Sequence, residues 1–594
     1  MCGIAGIFGA GDHAAVEAML GTLRHRGPDD RHIVSGDQFA IGARRLSIVD
    51  LAEGRQPLTN EDGSVVAAQN GELYNFPLMR PALLERGHRL RTHTDTELLP
   101  HLWEDHGEQL PRHIDGMFAI AVWDRRQSIG LLARDRMGKK PLYYWQHGGA
   151  LYFASELKAL LAIPGFTRTL NLEAMHHYLS YKHVPHPLTI FQGVRMLPPA
   201  HQLVFGKDTE PAISRYWSLS FAPPDAPLPD EEEVADELLT RMRRAVSRRL
   251  MSDVPVGFFL SGGLDSSLTT VLATEVAPER VKTFTLTYAG ASTTAGKDED
   301  RRWARWVAEK YGTEHHEEVI EVSNYPASLR TILRAFDEPF GGVVSTYFLS
   351  QRMAQHVKVA VAGDGAEELF GSYKSHRMAA GLERAAGEHR PDSSWRADLL
   401  VMSDEDKMSL YSPDVRAALA GVSTREHVAR AFQHLTARDP LNRMLEAEFH
   451  GILPDQVLTF VDRLSMAHSL EVRSAFLDTE VVEYAASLPG SLKIRNGDTK
   501  YILKRAAARY FPDEMIHRPK EGFLMPITQW VLNDLQPWVR ETLSPERLAL
   551  HGIFDAARVG ELVDRLYQAD ADYTMVNRVL ALVIFQEWYE LYLS

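Results

Sequence analysis

The chain has 594 residues, about four domain-lengths at the usual ~150 residues per domain. Hydrophobic residues make up 45% and charged ones 24%, so each half can bury a full core and disorder is excluded. Asp+Glu outnumber Lys+Arg by 79 to 65, a formal net charge of −14 and the wrong sign for a general nucleic-acid binder, which needs excess cation against phosphate.

In chain order, residues 2–205 read as strands separated by short helices. The strand candidates are Gly3–Phe8, Phe39–Val49, Ser64–Asn70, Phe118–Asp124, Ile129–Arg134 and Ala150–Ala154, which together predict an antiparallel, sheet-rich domain. Residues 206–230 read as a linker, with FAPPDAPLPDEEE as its clearest stretch. From 231 to 594 the rhythm changes. A helix over Glu231–Leu250 leads to strand Val254–Leu260, a Gly-rich turn and a helix from Ser266. Strand Val281–Tyr288, helix Asp300–Tyr311 and strands Glu317–Glu321 and Val357–Ala362 follow. Strands alternating with helices predict a parallel α/β sheet with sites at the strand C-termini. Residues from about 400 onward read as mainly helical. The basic run Arg241 to Arg249, interleaved with Ala245 and Val246, reads as the wet face of an amphipathic helix.

No apolar run approaches the ~18 residues that cross a bilayer, and the N-terminus lacks a charged segment ahead of a long apolar one. A cytoplasmic protein without membrane or nucleic-acid partners is expected. The 25 histidines show no Cys/His ligand spacing, so a structural zinc site is not expected.

The lone cysteine carries the first chemical signal. A single Cys is usually a small buried hydrophobe. Cys2 follows the initiator Met, where no core is expected to claim it, and removal of Met1 would place a thiol and an α-amine on one residue. The amine, with a reference pKa of about 7.7–8.0, can serve as general base for the thiol. Three polar clusters follow strand candidates: Arg44 to Val49, Asn70-Gly71-Glu72 and Thr94-Asp95-Thr96-Glu97. Arg45 would grip a substrate carboxylate and Glu72 or Asp95 an ammonium. The Asn70 amide and the Gly71 N–H would form an oxyanion hole. Taken alone, Asn-Gly is also the commonest hairpin turn.

The second signal is the strand–loop–helix run Phe258 to Ser267. Ser261, Gly262, Gly263, Leu264, Asp265, Ser266 and Ser267 form a loop whose glycines and helix N-terminus suit a pyrophosphate. Asp265 would repel phosphate unless a divalent cation lay between them, which predicts Mg²⁺. The segment is neither a Walker A loop nor GxGxxG. A second Gly-rich loop, Ala362 to Gly371, brings Asp364, Glu367 and Glu368 after another strand, and Arg518-Pro519-Lys520-Glu521-Gly522-Phe523 places a lysine in a rigid loop.

On these residues the chain resembles the glutamine-hydrolysing asparagine synthetases of the bacterial type. The resemblance rests on MCGIAGIFG, LRHRGPDD, RRLSIVDL, QNGELYN, THTDTE, FFLSGGLDSS, GDGAEELFGSY, DRLSMAHSLEVRSAFLD and RPKEGF. It implies an α+β N-terminal nucleophile glutaminase domain of sandwiched antiparallel sheets. An α/β parallel-sheet ATP domain of the pyrophosphatase-loop kind, with a helical C-terminal part, would follow. By position, Cys2 would be the nucleophile, and Arg45, Leu46, Ser47, Ile48, Val49, Asn70, Gly71, Glu72 and Asp95 the glutamine site. Ser261 to Ser267 would hold the pyrophosphate, with Leu286, Ala362 and Gly363 near the adenosine. Asp364 and Lys520 would serve the acyl-adenylate, and Asp265 and Glu367 the metal. The implied reactants are glutamine, ATP with Mg²⁺, and a carboxylate acceptor such as aspartate, with ammonia passed internally. A homodimer is compatible with it.

The sequence departs from the family pattern near the acceptor. Relatives often read DGGDE where this chain has Asp364-Gly365-Ala366-Glu367-Glu368, and VPFLD where it has Ser474-Ala475-Phe476-Leu477-Asp478. After Asp337-Glu338-Pro339-Phe340 the chain runs Gly341-Gly342-Val343-Val344, a glycine-rich and apolar stretch. The acceptor therefore stays open between aspartate and another carboxylate, such as a sugar acid, a peptide or a secondary metabolite. An idle scaffold is disfavoured, because Cys2, Asp265 and the loop serines are all present.

Overall fold

The computed structural model describes residues 2–206, 210–224, 226–288, 297–320, 325–382, 392–518, 527–568 and 573–594. Twelve strands build the first part of the chain: β1 (Cys2–Phe8), β2 (Asp30–Gly36), β3 (Phe39–Arg45), β4 (Leu58–Thr59), β5 (Val65–Leu73), β6 (Gly116–Asp124), β7 (Ile129–Arg134), β8 (Tyr143–His147), β9 (Ala150–Ala154), β10 (Val194–Met196), β11 (His201–Gly206) and β12 (Ala212–Arg215). They form two six-stranded antiparallel sheets, ordered β10-β8-β9-β1-β3-β2 and β12-β11-β7-β6-β5-β4. Ile4, Phe8 and Ile41 of the first sheet pack on Ala68, Trp123, Leu132 and Leu203 of the second, which makes the sandwich core.

Several boundaries differ from the expected ones: β5 runs on to Leu73 rather than ending at Asn70, β6 starts at Gly116 rather than Phe118, and two further differences have a clear cause. Residues 212–215 pair with β11 and belong to the second sheet rather than to a linker starting at 206. All four are exposed, so no apolar alternation marks this edge strand. Strand β3 stops at Arg45 instead of reaching Val49, because Leu46 and Ile48 leave the sheet to pack on Val359 and Met466 of the second half.

The second half carries a parallel sheet of β13 (Val256–Phe259), β14 (Lys282–Tyr288), β15 (Glu314–Ile320), β16 (Val359–Ala362) and β17 (Glu471–Ser474), in the order β15-β14-β13-β16-β17. Strand β17 lies in a stretch expected to be mainly helical. Its charged residues are buried and paired, with Arg473 Nε 2.6 Å from Glu471 Oε1, so hydrophobic patterning cannot reveal it. Helix Glu231–Arg249 is capped by Asp230, which accepts from the Glu232 and Glu233 amides, and it buries Leu238, Leu239 and Met242. Arg243 and Arg244 face outward and pair with Glu275 and Glu480, but Arg249 is buried against Asp478 and the Ser474 carbonyl, so the basic run is not wholly the wet face expected. Among the described residues no helix is long and apolar enough to cross a membrane.

A buried ionic seam joins the halves. Arg26 binds Asp462 through both terminal nitrogens, at 2.8 and 3.1 Å, and Glu156 at 2.9 Å. Lys140 reaches Asp462 at 3.3 Å. Arg463 meets Glu156 and Asp337 at 3.2 and 3.3 Å, and Lys158 meets the same two carboxylates at 2.8 and 3.0 Å. Burial pushes the Asp462 carboxyl up, but the Arg26 and Lys140 charges more than offset it and hold it below the usual range. Glu156, opposed by His25, Lys158 and Arg463, lies well below.

Asp462→Ala should strand two buried cations and cost about 3–5 kcal/mol in urea unfolding. Because both folded carboxyls sit below their unfolded values, their stabilisation is complete above pH ~4 and is lost as pH falls through the folded values. Unfolding curves at successive pH values should show a steep acid loss that is smaller in Asp462→Ala.

Candidate active sites

The sandwich brings the first polar clusters together. Cys2 opens β1 directly opposite Arg45 on β3. It is 4% exposed, contrary to the expectation that no core would claim it, but its surroundings are polar rather than apolar. The Gln56 amide nitrogen lies 3.6 Å from Sγ, and the Cys2 amide donates to Asn70 Oδ1 at 3.4 Å. Burial pushes the thiol pKa up, opposed in part by the Leu46 amide and the Arg45 charge.

Asn70 and Gly71 are not a hairpin turn. Both lie inside β5, opposite Ala119 and Phe118 of β6. At Gly71 φ is +150°, and a Cβ would sit 1.9 Å from the Met117 carbonyl oxygen, so only glycine fits. Asn70 is fully buried and its Nδ2 donor has no partner. Glu72 is buried too, with Oε2 unpartnered and Oε1 3.6 Å from Arg473. Burial and the neighbouring Asp95 and Glu471 charges hold its carboxyl well above the usual range. Asp95 accepts from Gln69 Nε2 and the Leu73 amide, both at 2.7 Å.

The remaining residues of the first cluster serve the wall. Arg45 donates to the carbonyls of Val49, Asp50 and Leu51 and so clamps the turn after β3. The Ser47 amide donates to Asp29, while Leu46 and Ile48 point into the apolar contact with the second half.

The second site sits where the parallel sheet reverses its order. Strands β13 and β16 are hydrogen-bonded neighbours, and each runs at its C-terminal end into one of the Gly-rich loops. Gly262 has φ +78° and packs against the helix beginning near Lys297, where a Cβ would lie 2.0 Å from the Asp300 carbonyl oxygen. Gly363 lets the two loops touch, since a Cβ there would sit 3.0 Å from the Ser266 amide. The Ser261 and Ser266 hydroxyls meet at 2.9 Å and hold the first loop closed, and buried Ser267 keeps an unpartnered hydroxyl. Helix Leu264–Val276 has no side-chain cap at Gly263, which leaves its first amides to an anion. Leu286 and Ala362, on the strands flanking β13, are buried beside this loop system. Asp364 is held by burial first and the Asp265 charge second at a pKa raised to about 6.

Lys500, which carried no sequence signal, lies at the centre. Its Nζ is 2.6 Å from both Asp265 Oδ2 and Glu367 Oε1, so the two carboxylates converge on one positive charge. Lys520 lies outside the described residues.

From Asp265, Asp364 and Glu367 a cavity of about 560 Å³ runs toward helix Tyr573–Tyr592. Phe340, Val344, Val457, Phe460, Leu580 and Ile584 form its apolar walls. Lys182 enters it, bonded to Asn577 Oδ1 at 3.0 Å, with burial lowering its pKa to about 8.

A thiol among amide and carboxylate groups in one half, and paired Gly-rich loops at a parallel-sheet switch point in the other, define a two-part amide-forming enzyme. Residues 237–590 match the family model described as asparagine synthase, and residues 1–217 that of the glutamine amidotransferase domain. The chain belongs to the glutamine-hydrolysing asparagine synthase family, ligases that use glutamine nitrogen and ATP. It is 31% identical to asparagine synthetase [glutamine-hydrolyzing] 1 of Bacillus subtilis, over 91% of this chain and 90% of that protein. The putative asparagine synthetase [glutamine-hydrolyzing] of Mycobacterium tuberculosis is also 31% identical, over 100% of this chain and 96% of its own. Among solved structures, the allosteric regulatory enzyme of purine biosynthesis shares 16% identity over 54% of this chain and 80% of that one. Its TM-score of 0.30 is too low to bear on the fold.

Two glycine substitutions separate close packing from backbone strain. Gly71→Ala should destabilise the protein by more than about 2 kcal/mol in thermal or urea unfolding. Gly63→Ala, where φ is +73° but nothing lies within 4 Å, should cost about 1 kcal/mol.

Proposed function

We propose that Cys2 frees ammonia from glutamine and that the loop system of the second half forms an acyl-adenylate which this ammonia converts to an amide. The observation that carries the reading is the buried, unpartnered Asn70 Nδ2 beside Cys2, a donor waiting for an oxyanion. The Cys2 sulfur attacks the side-chain carbonyl carbon of glutamine, and the oxyanion takes the Asn70 Nδ2 and Gly71 N–H groups. Collapse breaks the C–N bond and releases ammonia, and water then hydrolyses the thioester to glutamate. On a chain that begins at Cys2, the nitrogen held by Asn70 Oδ1 is an α-amine, placed to take the thiol proton. Glu72, through its unpartnered Oε2, and Asp95 receive the glutamine ammonium, and Arg45 and the turn it clamps receive the carboxylate.

In the second half the acceptor carboxylate attacks the α-phosphorus of ATP, pyrophosphate leaves, and ammonia displaces AMP from the acyl carbon. Ser261, Gly262, Gly263, Ser266 and Ser267 cradle the pyrophosphate, and Leu286, Ala362 and Gly363 border the adenosine. Asp265 and Glu367 suit Mg²⁺, because both already turn their oxygens to the Lys500 ammonium. Mg²⁺ held there would neutralise phosphate charge. Lys500, released from those carboxylates, would meet the charge on the transferring phosphate, and Lys520 would add a second cation.

The names of the relatives favour aspartate as acceptor. A second reading, a carboxylate on a larger apolar body, is favoured by the volume and apolar walls of the cavity beside Asp364. ATP–pyrophosphate exchange with aspartate and a panel of apolar acids separates the two: the acid that drives exchange is the acceptor. Cys2→Ala should lose glutamine-dependent synthesis by at least about 10³-fold and keep ammonia-dependent synthesis. Asp265→Asn should lose synthesis and keep basal glutamine hydrolysis. Glutamine-dependent synthesis by Cys2→Ala at the normal rate contradicts the proposal.

A further inference from the structure

Outside both sites, four metal-ligating side chains meet at the edge of the glutamine half. Glu61 comes from the turn between β4 and β5, His88 from the segment after helix Phe76–Glu85, and His101 and Glu104 from helix Leu98–His106. The i, i+3 spacing puts the last two on one helix face. One ligand atom from each lies within 4.8 Å of all the others. The Nδ1 atoms of His88 and His101 face each other at 3.2 Å. Glu61 Oε2 is 3.5 Å from His101 Nδ1, and Glu104 Oε2 is 3.7 and 3.8 Å from the two imidazoles.

We propose that Glu61, His88, His101 and Glu104 form a binding site for a divalent cation of the zinc type. Zinc bonds of about 2.0–2.2 Å to nitrogen and oxygen place tetrahedral ligand atoms roughly 3.3–3.6 Å apart, close to the spacings found. Three of the four ligands are held from outside in the way a metal site requires, while His101 Nε2 is buried without a partner. His88 Nε2 lies 3.2 Å from Asp105 Oδ1, which fixes its proton on Nε2 and turns the Nδ1 lone pair inward. Glu61 Oε1 accepts from the Arg89 amide at 2.7 Å, and Glu104 Oε1 from Asn60 Nδ2 at 2.9 Å. Glu104 thus presents Oε2 to both imidazoles, while Glu61 turns Oε2 to His101 and Oε1 to His88, the latter at 3.8 Å. A single proton between the two Nδ1 atoms would bridge the imidazoles but leave both carboxylate charges facing the same point. A divalent cation satisfies all four.

The ligands come from three segments, so the cation would staple the β4–β5 turn and helix Leu98–His106 to residues 86–97. That last stretch carries Asp95, which bonds Gln69 and Leu73 beside Cys2. The role is structural, with no open catalytic position needed, and the inference does not rest on the proposed reaction.

The test uses the full chain carrying Cys2→Ala, so that the thiol cannot bind metal, stripped with a chelator. Calorimetric titration with Zn²⁺ should give one equivalent at submicromolar affinity, and Co²⁺ should give the intense visible absorption of a tetrahedral site. His88→Gln should abolish both signals, and Asp105→Asn should weaken zinc binding about 10–100-fold. A cooperative urea-unfolding transition of His88→Gln in the same Cys2→Ala chain reports that the variant folds. Absence of zinc uptake by the parent overturns the proposal, and so does one equivalent that binds as tightly in folded His88→Gln.

Discussion

The contact of Arg26 with Cys2 on one side and Asp462 on the other sets the rest of the molecule. Its Nε donates to the Cys2 carbonyl at 3.3 Å while its terminal nitrogens hold the carboxylate of the other half. Removing such charges from water costs several kcal/mol per ion, and only the complete set of partners offsets it. The seam therefore behaves as one unit: the halves dock in a single register or leave buried charges unpaired. That register places the thiol strand against the helix that also borders the second site.

That helix, Leu458–Met466, touches both the seam and the second site. Asp462 and Arg463 anchor it in the seam, while Val457 and Phe460 line the cavity beside Asp364. A π-helical turn over Leu453–Val457 precedes it, a distortion that recurs at functional sites. Apolar groups flank the link: Leu46, Ile48, Val359 and Met466 form one cluster, and Ile332, Phe336, Phe340 and Leu464 another. A path between these clusters would suit the ammonia of the proposed reaction and exclude the water that would protonate it or hydrolyse an activated acid.

Much of this was legible in the residues. Alternation marked β1, β7 and β9 to within a residue, and glycines after strand-like runs marked both loops of the second site. What escaped had a common cause: it depends on partners far apart in the chain. Arg26 and Asp462 are 436 residues apart and look like surface charges until they meet. Lys500 caps a helix from a left-handed backbone, φ +55°, that no local residue pattern announces, and gains meaning only from Asp265 and Glu367. The Asn-Gly pair reads as a turn by local propensity, yet the close approach of Met117 requires glycine in the middle of β5. Histidine spacing gave no metal pattern, because His88 and His101 are brought together by folding of the segment between them. Strand β17 and the burial of Cys2 were hidden for the same reason, since paired polar groups compensate their burial.

The central claim is that nitrogen freed at Cys2 reaches the second site without mixing with solvent. It is tested most directly by supplying amide-¹⁵N glutamine together with an equal concentration of unlabelled ammonium and reading the isotope in the amide product by mass spectrometry. The account predicts product labelled predominantly from glutamine. Label diluted in proportion to the ammonium present would contradict it.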